Sequence, residues 1–276
     1  MTKLRFVAGV TLYNPSIEEL KNLSDYSASF EKIFLFDNSE PSYLRPEYEF
    51  NDKFEIITEG NNMGLPYAFN CIIEKCDDYD YLCTLDQDSV FAAEDIEKIK
   101  AFISAQNQLE IGIVAPYIDY GFSNINFSET AEEKDWVITS GGFVNLSAIK
   151  KHSLRYDLNY FIDKFEIDLC QQMILKGYKI LMYHGSVLHQ SLGEINGHRH
   201  TNHSVLRHYY LFRNRLYFNN KWHHGVKKLF LNLLQTLRHF YLILMYEENK
   251  ISKIKVFVVA VCDYKKGKLG KRILSI

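Results

Sequence analysis

The sequence lacks the features of a secreted or a membrane-spanning protein. Its five cysteines include no CxxC pair, which argues against a thiolate zinc site and is typical of a reducing compartment. The N-terminal residues carry no signal-peptide pattern, so we expect a cytoplasmic protein. No apolar run is long enough to cross a bilayer, because Asn, Gln, Arg and His interrupt the most apolar region, 229–246.

Acidic residues are scarce near the C-terminus. Residues 1–198 contain 16 Lys and Arg against 31 Asp and Glu, whereas residues 199–276 contain 16 against 3. The basic region combines an amphipathic helical pattern with a polybasic segment at 265–272, which favours an anionic membrane surface as a partner. In the alternative interpretation, the apolar helix face packs on the catalytic body and only the charges are solvated. No helix-turn-helix, zinc-finger or RNP-type pattern accompanies the charge, so we expect no nucleic acid partner.

Short apolar runs alternate with helical patterns through the first half of the chain. This alternation is typical of an α/β protein with a mostly parallel sheet. The predicted strands are 6–12, 33–36, 54–57, 81–85, 111–115, 136–139 and 180–183. Helices are expected after Pro15, at 64–76, from Ala93, at 165–175 and from Val205 onward, with polar loops at 117–135 and 184–203.

Polar residues lie at the carboxyl ends of three of the predicted strands, namely Thr11, Asp37 and the run Asp86-Gln87-Asp88. Ligands of such sheets bind at the carboxyl ends of the strands. Two carboxylates one residue apart on a turn can both reach a hard cation that bridges to phosphates. An ordinary solvated acidic turn is the alternative interpretation of this short pattern.

Several segments, taken in order, resemble the family 2 glycosyltransferases. They are FVAGVTLYNP, LFDNS, NNMGLPYAFN, YLCTLDQDS, TSGGFV and FIDKFEIDLCQQMILKGYKI, and the later HYYLFRNRLYF resembles the bacterial rhamnosyltransferase-like branch. The resemblance covers roughly residues 5–220 and implies the GT-A fold, a mostly parallel central sheet flanked by helices, with a helical C-terminal extension. We therefore expect a catalytic domain at 1–204 and a helical basic region at 205–276.

The resemblance also implies which residues bind the donor. Those expected to contact the nucleotide or its sugar are Thr11, Asp37, Asn62, Gly64, Asn70, Asp86, Gly142 and Arg213. Arg213, with Arg215 as its alternative, stands in for a family arginine that is replaced here by Gln172. The metal, Mn²⁺ or Mg²⁺, is expected to bind Asp88 directly, with contributions from Asp86 and His189.

The candidate catalytic base lies where an acidic pair opens the corresponding helix in the family, and this pair reads Phe165-Glu166 here, without its first acid. Glu166 matches the second acid of that pair, which is the base in the family. If 163–168 were helical, Asp163 would share a face with Glu166 and Asp168 would not. Asp163 and Asp168 are the alternative candidates for the base.

The resemblance implies an inverting, metal-dependent glycosyltransferase. Its donor would be a dTDP- or UDP-sugar, with rhamnose as the first choice, and its acceptor a bacterial polysaccharide or lipid-linked glycan. Trp136 either stacks on an acceptor sugar or belongs to the core. The alternative function is a catalytically inactive relative that binds glycan or scaffolds an assembly. With a lipid-linked acceptor, the protein would lie peripherally on the inner face of the plasma membrane.

Overall fold

A computed structural model of the protein describes residues 3–25, 27–121, 128–190 and 202–273. Its centre is an eight-stranded sheet in the order β3-β2-β1-β4-β7-β5-β8-β6. The strands are β1 (Phe6–Leu12), β2 (Ile33–Asp37), β3 (Phe54–Thr58), β4 (Tyr81–Asp86), β5 (Ile111–Asp119), β6 (Ala131–Glu133), β7 (Gly142–Asn145) and β8 (Lys179–His189).

Eight α-helices accompany the sheet in the described residues. They are α1 (Ile17–Asn22), α2 (Leu65–Glu74), α3 (Ala93–Ala105), α4 (Leu146–His152), α5 (Phe165–Leu175), α6 (Val205–Trp222), α7 (Gly225–Tyr246) and α8 (Lys250–Lys265). The start of α1 is set by a capping box, in which Ser16 Oγ accepts from the Glu19 backbone and Glu19 accepts from the Ser16 backbone. None of the described helices is long and apolar enough to cross a membrane.

Parallel pairing dominates one side of the sheet, where β1 lies between β2 and β4 and β2 pairs with β3. All seven residues of β1 are buried, because helices cover both faces of a parallel sheet. On the other side β5 pairs with β8 in parallel, and antiparallel pairing joins β7 to β4 and β5, and β6 to β8. This mixed, mostly parallel α/β sheet agrees with the expected fold class.

The sequence prediction of a strand at 136–139 was wrong. These residues form no strand, and the antiparallel neighbour of β4 is β7, whose four residues are all buried. The 136–139 backbone is instead held as a loop, because Thr84 Oγ1 donates to the Thr139 carbonyl at 2.6 Å. The expected loops at 117–135 and 184–203 also contain regular structure, since β6 lies in the first and β8 continues to His189.

The chain divides into two compact units. The first comprises Met1–Tyr156 with Glu166–Ser191, and the second comprises Asp157–Phe165 with Leu192–Ile276. The segment 157–165, assigned from sequence to the catalytic domain, thus belongs with the helices α6 to α8. The second unit has a core of its own, built by Tyr209, Tyr210, Phe212, Ile243, Val256 and Ala260.

Arg213 lies inside the core of the second unit, and this burial contradicts its expected donor contact. Its side chain is fully buried, and its guanidinium donates to the carbonyl oxygens of Gly270 at 2.8 Å and Asn159 at 3.3 Å. Arg215 is also buried, and it donates to the Gln235 carbonyl and to Thr236 Oγ1. Both arginines therefore stabilise the helical unit rather than present a charge at its surface.

Candidate active site

Three of the predicted site residues meet at one edge of the first unit. In the register of the sheet, Thr11 of β1 lies opposite Asp86 of β4, and the neighbouring Leu12 lies opposite Asp37 of β2. Because these strands are parallel, their carboxyl ends share an edge, as the sequence predicted. The arrangement sets a hydroxyl and two carboxylates around the position where such sheets bind nucleotides.

Asp86 is held firmly at the end of β4. Its Oδ2 accepts from Ser140 Oγ at 2.7 Å and from Gln190 Nε2 at 3.3 Å. The Asp86 backbone N–H meets the hydroxyls of Ser140 and Ser89, which lie 3.0 Å from each other. Two side chains from distant parts of the chain therefore orient this carboxylate.

Asp88 lies on the turn that follows β4 and is exposed. The surrounding protein partly excludes water from its carboxyl, and this desolvation, together with the nearby charge of Asp86, raises its pKa above the usual value. The ionised form of Asp88 thus lacks full compensation within the protein. A bound cation would supply that compensation.

The turn itself is fastened by Gln87, which lies between the two aspartates. Its amide oxygen accepts from the Tyr13 backbone N–H at 2.6 Å, and its amide nitrogen donates to Glu19 Oε1 at 2.8 Å. Gln87 therefore ties the Asp-x-Asp turn to α1 and to the residues after β1. Asp86 and Asp88 are presented on a backbone that is held from both sides.

His189 lies next to this turn because its backbone pairs with that of Val90, with hydrogen bonds in both directions. Its Nδ1 lies 3.1 Å from Asp119 Oδ2, and its side chain is 56% exposed. A carboxylate on one ring nitrogen orients the ring and leaves Nε2 for a ligand, an arrangement common at metal sites. His189 is thus available beside the Asp-x-Asp turn.

The described residues do not bring three or more His, Cys, Asp or Glu side chains together as a preformed metal site. Mg²⁺ at nucleotide sites is typically held by one or two carboxylates plus substrate phosphates and water. Asp86 and Asp88, with the raised pKa of Asp88, fit a cation of this kind, whose remaining ligands come from the donor diphosphate. They do not fit a cation that depends on protein ligands alone.

The loop after β2 is braced against the loop before α2. Asp37 accepts from the Ser39 backbone and forms an ion pair with Arg45 at 3.3 Å. Asn38 Oδ1 accepts from the Met63 backbone N–H at 2.8 Å. These contacts connect the carboxyl end of β2 with the Asn62-Met63-Gly64 segment, which the sequence resemblance places beside the nucleotide.

Gly64 forms the start of α2 in a conformation that requires glycine. Its φ is +86°, and no side chain caps the helix. Asn62 Oδ1 accepts from the Gly64 backbone N–H at 3.0 Å and so closes a turn just before the helix. The uncapped backbone N–H groups of α2 favour a negatively charged or hydrogen-bond-accepting group of a ligand.

Asn70 has a structural role in this arrangement. Its Nδ2 donates to the Tyr156 carbonyl at 2.8 Å, and its Oδ1 accepts from the Tyr156 backbone N–H at 3.0 Å. The side chain is buried, and the backbone of Tyr156 engages both ends of its amide. Asn70 therefore positions the chain at Tyr156, and this geometry argues against the nucleotide contact expected from sequence.

Glu166 is in the first turn of α5 and borders a small cavity of about 10 Å³. Thr84, Thr139 and Gly142 line the same cavity. Thr84 lies two residues before Asp86 on β4 and opposite Gly142 on β7, so its side chain and that of Asp86 project from the same face of the sheet. This face of β4 and the adjoining β7 therefore connect Glu166 with the Asp-x-Asp turn.

Asp163 and Asp168 occupy different surroundings from Glu166. The expectation that Asp163 shares a helix face with Glu166 was wrong, because α5 begins at Phe165 and Asp163 has a φ of +58°. Asp163 belongs to the second unit and pairs with Arg207 at 3.1 Å. Asp168 is fully buried and accepts from Gln172 Nε2 at 2.8 Å.

Gln172, which stands at the position of a family arginine, has a clear structural function. Besides Asp168, its amide nitrogen contacts the Arg155 carbonyl at 3.0 Å. A neutral amide can donate both bonds from within the fold without bringing a second charge there. The departure from the family pattern is therefore compatible with an intact site.

Trp136 borders a second, larger cavity of about 400 Å³ in the first unit. The indole is 48% exposed, so the interpretation of Trp136 as a core residue was wrong. Its neighbours in the wall include Lys134, Asp135 and Pro116. An exposed aromatic face with polar neighbours is suited to stacking on the apolar face of a sugar ring.

Sequence reasoning missed three residues that hold the site. Asp119 orients His189, and Gln190 and Ser140 both donate hydrogen bonds to Asp86. Each acts on a partner at least 54 residues away in the sequence. Only the position of Gln190, directly after His189, could have suggested its contact.

A comparison with protein families identifies the class of protein. The family model described as glycosyl transferase family 2 matches residues 14–169, so the chain belongs to this family. The matched range includes the ends of β2 and β4, the Asp-x-Asp turn and Glu166. The family membership expected from sequence is confirmed, and the protein is a glycosyltransferase.

A curated relative indicates the branch of the family that the chain resembles. The dTDP-rhamnosyl transferase RfbF of Shigella flexneri is 24% identical over 290 residues, which cover 95% of this chain and 96% of the relative. The likeness extends over the basic C-terminal region as well as the family domain. It supports the rhamnosyltransferase-like branch that the sequence segments indicated.

Solved structures confirm the GT-A fold. TarS of S. aureus in complex with UDP-GlcNAc superposes with a TM-score of 0.57 at 14% identity, covering 95% of this chain and 80% of that chain. GalNAc-T7 with UDP, GalNAc and Mn²⁺ has a TM-score of 0.56 at 12% identity. This second match covers 69% of our chain and 44% of GalNAc-T7, so the chain spans less than half of that protein.

Proposed function

We propose that this glycosyltransferase moves a sugar, with rhamnose as the first candidate, from a nucleoside diphosphate donor to a glycan or lipid-linked glycan. The observation that carries the proposal is the meeting of Thr11, Asp86 and Asp88 at the carboxyl edge of a sheet that also leads to Glu166. The name of the Shigella relative supports a dTDP-sugar, whereas the complexes of TarS and GalNAc-T7 support UDP-sugars.

The donor-binding roles follow the ends of the strands. Thr11 and Asp37 contact the base and ribose, and the turn at Asn62 and Gly64 closes over the nucleotide. Asp86 contacts the ribose or the cation, held in place by Ser140 and Gln190. Gly142 leaves room for the sugar on the side of β7, where a side chain would approach the Thr139 carbonyl to 3.2 Å.

Asp88, Asp86 and His189 would hold Mn²⁺ or Mg²⁺ together with the donor diphosphate. A bound divalent cation neutralises the negative charge that develops on the departing nucleoside diphosphate. Asp119 keeps the His189 ring oriented for this contact. The GalNAc-T7 complex contains Mn²⁺, which supports manganese as the first ion to test.

Glu166 serves as the base in an inverting transfer. The acceptor hydroxyl oxygen attacks the anomeric carbon on the face opposite the diphosphate, and its proton passes to Glu166 as the bond to the diphosphate breaks. Glu166 is favoured over its neighbours because Asp168 is buried and Asp163 is paired with Arg207. The anomeric configuration is inverted because the reaction takes place in a single displacement.

Trp136 and its cavity would receive the acceptor sugar. We expect Trp136→Ala to raise the KM for the acceptor about tenfold, equivalent to about 1.4 kcal/mol of lost binding. Donor binding should not change, and Trp136→Phe should recover most of the affinity because it keeps an aromatic face. Initial rates at varied acceptor concentration measure this effect, and an unchanged KM would place the acceptor elsewhere.

A donor panel read by thermal shift tests the proposed function directly. The protein is heated with Mn²⁺ and each common dTDP-, UDP- and GDP-sugar, and the matching donor should raise the melting temperature only when the ion is present. Assay of the same donors for nucleoside diphosphate release then separates an enzyme from a binding protein. Binding without release would favour the inactive, glycan-binding or scaffold alternative.

We further propose that transfer takes place on the cytoplasmic side of a membrane, where a lipid-linked acceptor would be found. The excess of basic residues in 199–276 supports this location, since anionic lipids attract Lys and Arg clusters. A lipid-linked acceptor in the bilayer and an enzyme bound to the same membrane surface would both diffuse in that surface, which raises the rate at which they encounter each other. Transfer to acceptor in vesicles, compared with acceptor in detergent, measures this benefit.

A further inference from the structure

Helix α7 presents its apolar side to solvent and its polar side to the protein. Nine large apolar side chains on this one helix are each at least 50% exposed, namely Val226, Leu229, Phe230, Leu233, Leu234, Leu237, Tyr241, Leu244 and Met245. At 3.6 residues per turn they fall within roughly 160° of arc, a continuous stripe along the whole helix. We call these nine residues the α7 stripe.

The opposite side of α7 faces α6 through hydrogen bonds. Asn219 Nδ2 donates to Asn232 Oδ1 at 2.7 Å and to Gln235 Oε1 at 3.0 Å. Arg215 donates to Thr236 Oγ1, and His239 Nε2 lies 2.8 Å from His208 Nδ1. Asn232, Gln235 and His239, three of the polar residues that interrupt the apolar pattern in the sequence, are thus engaged within the second unit.

This orientation is the reverse of that of an ordinary surface helix, which buries its apolar stripe against the core. A stripe of this size exposed on a soluble protein indicates a partner or a membrane surface. Ile243 is the one residue of α7 that is fully buried, so little of the helix's apolar surface is used inside the second unit. We therefore infer that the α7 stripe contacts a partner or surface that is not among the described residues.

Charge identifies the chemistry of that partner. Helix α7 contains no acidic residue, and Lys227 and Arg238 lie exposed along one edge of the stripe. In the described residues 202–273, Glu248 is the one exposed acid, because Glu247 and Asp263 are buried in contact with Lys253 and Arg272. The exposed bases of this range are Arg207, Lys221, Lys227, Arg238, Lys250, Lys255, Lys265, Lys266, Lys268 and Lys271.

We propose that α7 lies flat in the interface of an anionic lipid bilayer, with the α7 stripe in the acyl boundary and the surrounding cations at the lipid headgroups. The proposal deepens the membrane location given above and rests on it. A second copy of the chain fits less well, because two faces that carry cations and no acids would repel one another. An anionic bilayer neutralises those cations and covers the stripe at once.

Vesicle sedimentation of the full chain tests the proposal. We expect binding to vesicles of phosphatidylcholine mixed with phosphatidylglycerol and weak binding to phosphatidylcholine alone. The double variant Leu233→Gln and Leu237→Gln should lower the partition coefficient by about tenfold or more, because polar groups replace apolar surface in the acyl boundary. The matched control, Leu44→Gln with Leu109→Gln, changes two leucines that are 91% and 81% exposed in the first unit, and should bind like the wild type.

Parallel measurements separate the possible failures. Thermal unfolding should be unchanged in all variants, since each altered leucine is exposed. If the α7 variant binds vesicles as strongly as the wild type, the proposal is overturned. It is also overturned if the wild type is a dimer that does not bind vesicles and the α7 variant is a monomer. Nucleoside diphosphate release with a water-soluble acceptor is assayed in parallel. If the wild type releases no nucleoside diphosphate, the proposed sugar transfer is refuted, and the vesicle result is not affected.

Discussion

Asp88→Asn should abolish metal-dependent donor binding and lower the transfer rate by about 10³-fold or more. A cation that stabilises developing charge contributes several kcal/mol, and each 1.4 kcal/mol or so changes a rate tenfold. The Asn side chain keeps the size of Asp88 but lacks its charge. Calorimetric titration of the donor with and without Mn²⁺, together with initial rates, measures both effects.

The raised pKa of Asp88 adds a signature that a structural defect would not produce. A carboxyl whose folded pKa lies above its unfolded value destabilises the fold once pH rises above the unfolded pKa. Asp88→Asn removes this effect, so its melting temperature without metal should equal or exceed that of the wild type near neutral pH. In the wild type, donor binding with Mn²⁺ should weaken toward acidic pH because protons compete for Asp88.

The control for Asp88 is Asp52→Asn, which makes the same change at an exposed acid away from the carboxyl edge of β4. It should leave donor binding, rate and metal dependence unaltered. If Asp88→Asn bound donor with Mn²⁺ as tightly as the wild type, the assignment of the metal site to the Asp-x-Asp turn would be wrong. A lowered melting temperature would instead indicate a folding defect.

Glu166→Gln should lower the transfer rate by roughly 10²- to 10⁴-fold, the usual contribution of a general base. Donor binding should remain, because Glu166 lies by the cavity near Gly142 and not on the Asp-x-Asp turn. The amide occupies the same volume and removes the proton-accepting charge. Transfer rates at saturating donor and acceptor measure the loss, and thermal shift with Mn²⁺ and donor shows whether binding survives.

Comparison with the neighbouring acids makes the assignment of the base specific. Asp163→Asn and Asp168→Asn should each keep more activity than Glu166→Gln, after correction for folded protein, since buried Asp168 also contributes to the fold. Glu133→Gln, at an exposed position of β6, is the matched control. An active Glu166→Gln enzyme would move the base to Asp163 or Asp168.

The fold could be predicted from the sequence wherever the local residue pattern indicates the same element that tertiary packing stabilises. The apolar runs of β1, β2 and β4 are continuous because both faces of these strands are buried. A polar residue of the candidate site lies at or next to the end of each run, namely Thr11, Asp37 and Asp86. The predicted helix at 165–175 coincides with α5, whose end is marked by Gly177 at a φ of +85°. These signals are local and need no knowledge of distant partners.

Strand β7 could not be predicted in the same way. The run at 136–139 has high β-propensity, yet Thr84 and the turn at Gly141 hold it as a loop. The residues that pair with β4 are those of β7, Gly142–Asn145. Pairing with β4 determines which of the two apolar segments, 136–139 or 142–145, becomes a strand. The sequence of neither segment alone predicts this pairing.

The same distinction between local pattern and long-range contacts applies to the site residues. Asp86, Asp88 and Glu166 could be selected because their types and positions match chemistry at the ends of strands and the start of a helix. Asn70 and Arg213 matched the same kind of pattern, but long-range hydrogen bonds to Tyr156 and Gly270 use their polar groups within the fold. The α7 stripe was visible as periodicity, whereas its outward orientation depends on the hydrogen bonds with α6.

The central claim, that the protein transfers a sugar from a metal-bound donor at this site, is tested most directly by product release. Purified protein is incubated with dTDP-rhamnose and the other common donors, with Mn²⁺ or with chelator, and free nucleoside diphosphate is quantified. We expect release from one donor, dependent on Mn²⁺ and lost in Asp88→Asn. Absence of release from every donor, together with absence of donor binding, would contradict the enzyme assignment.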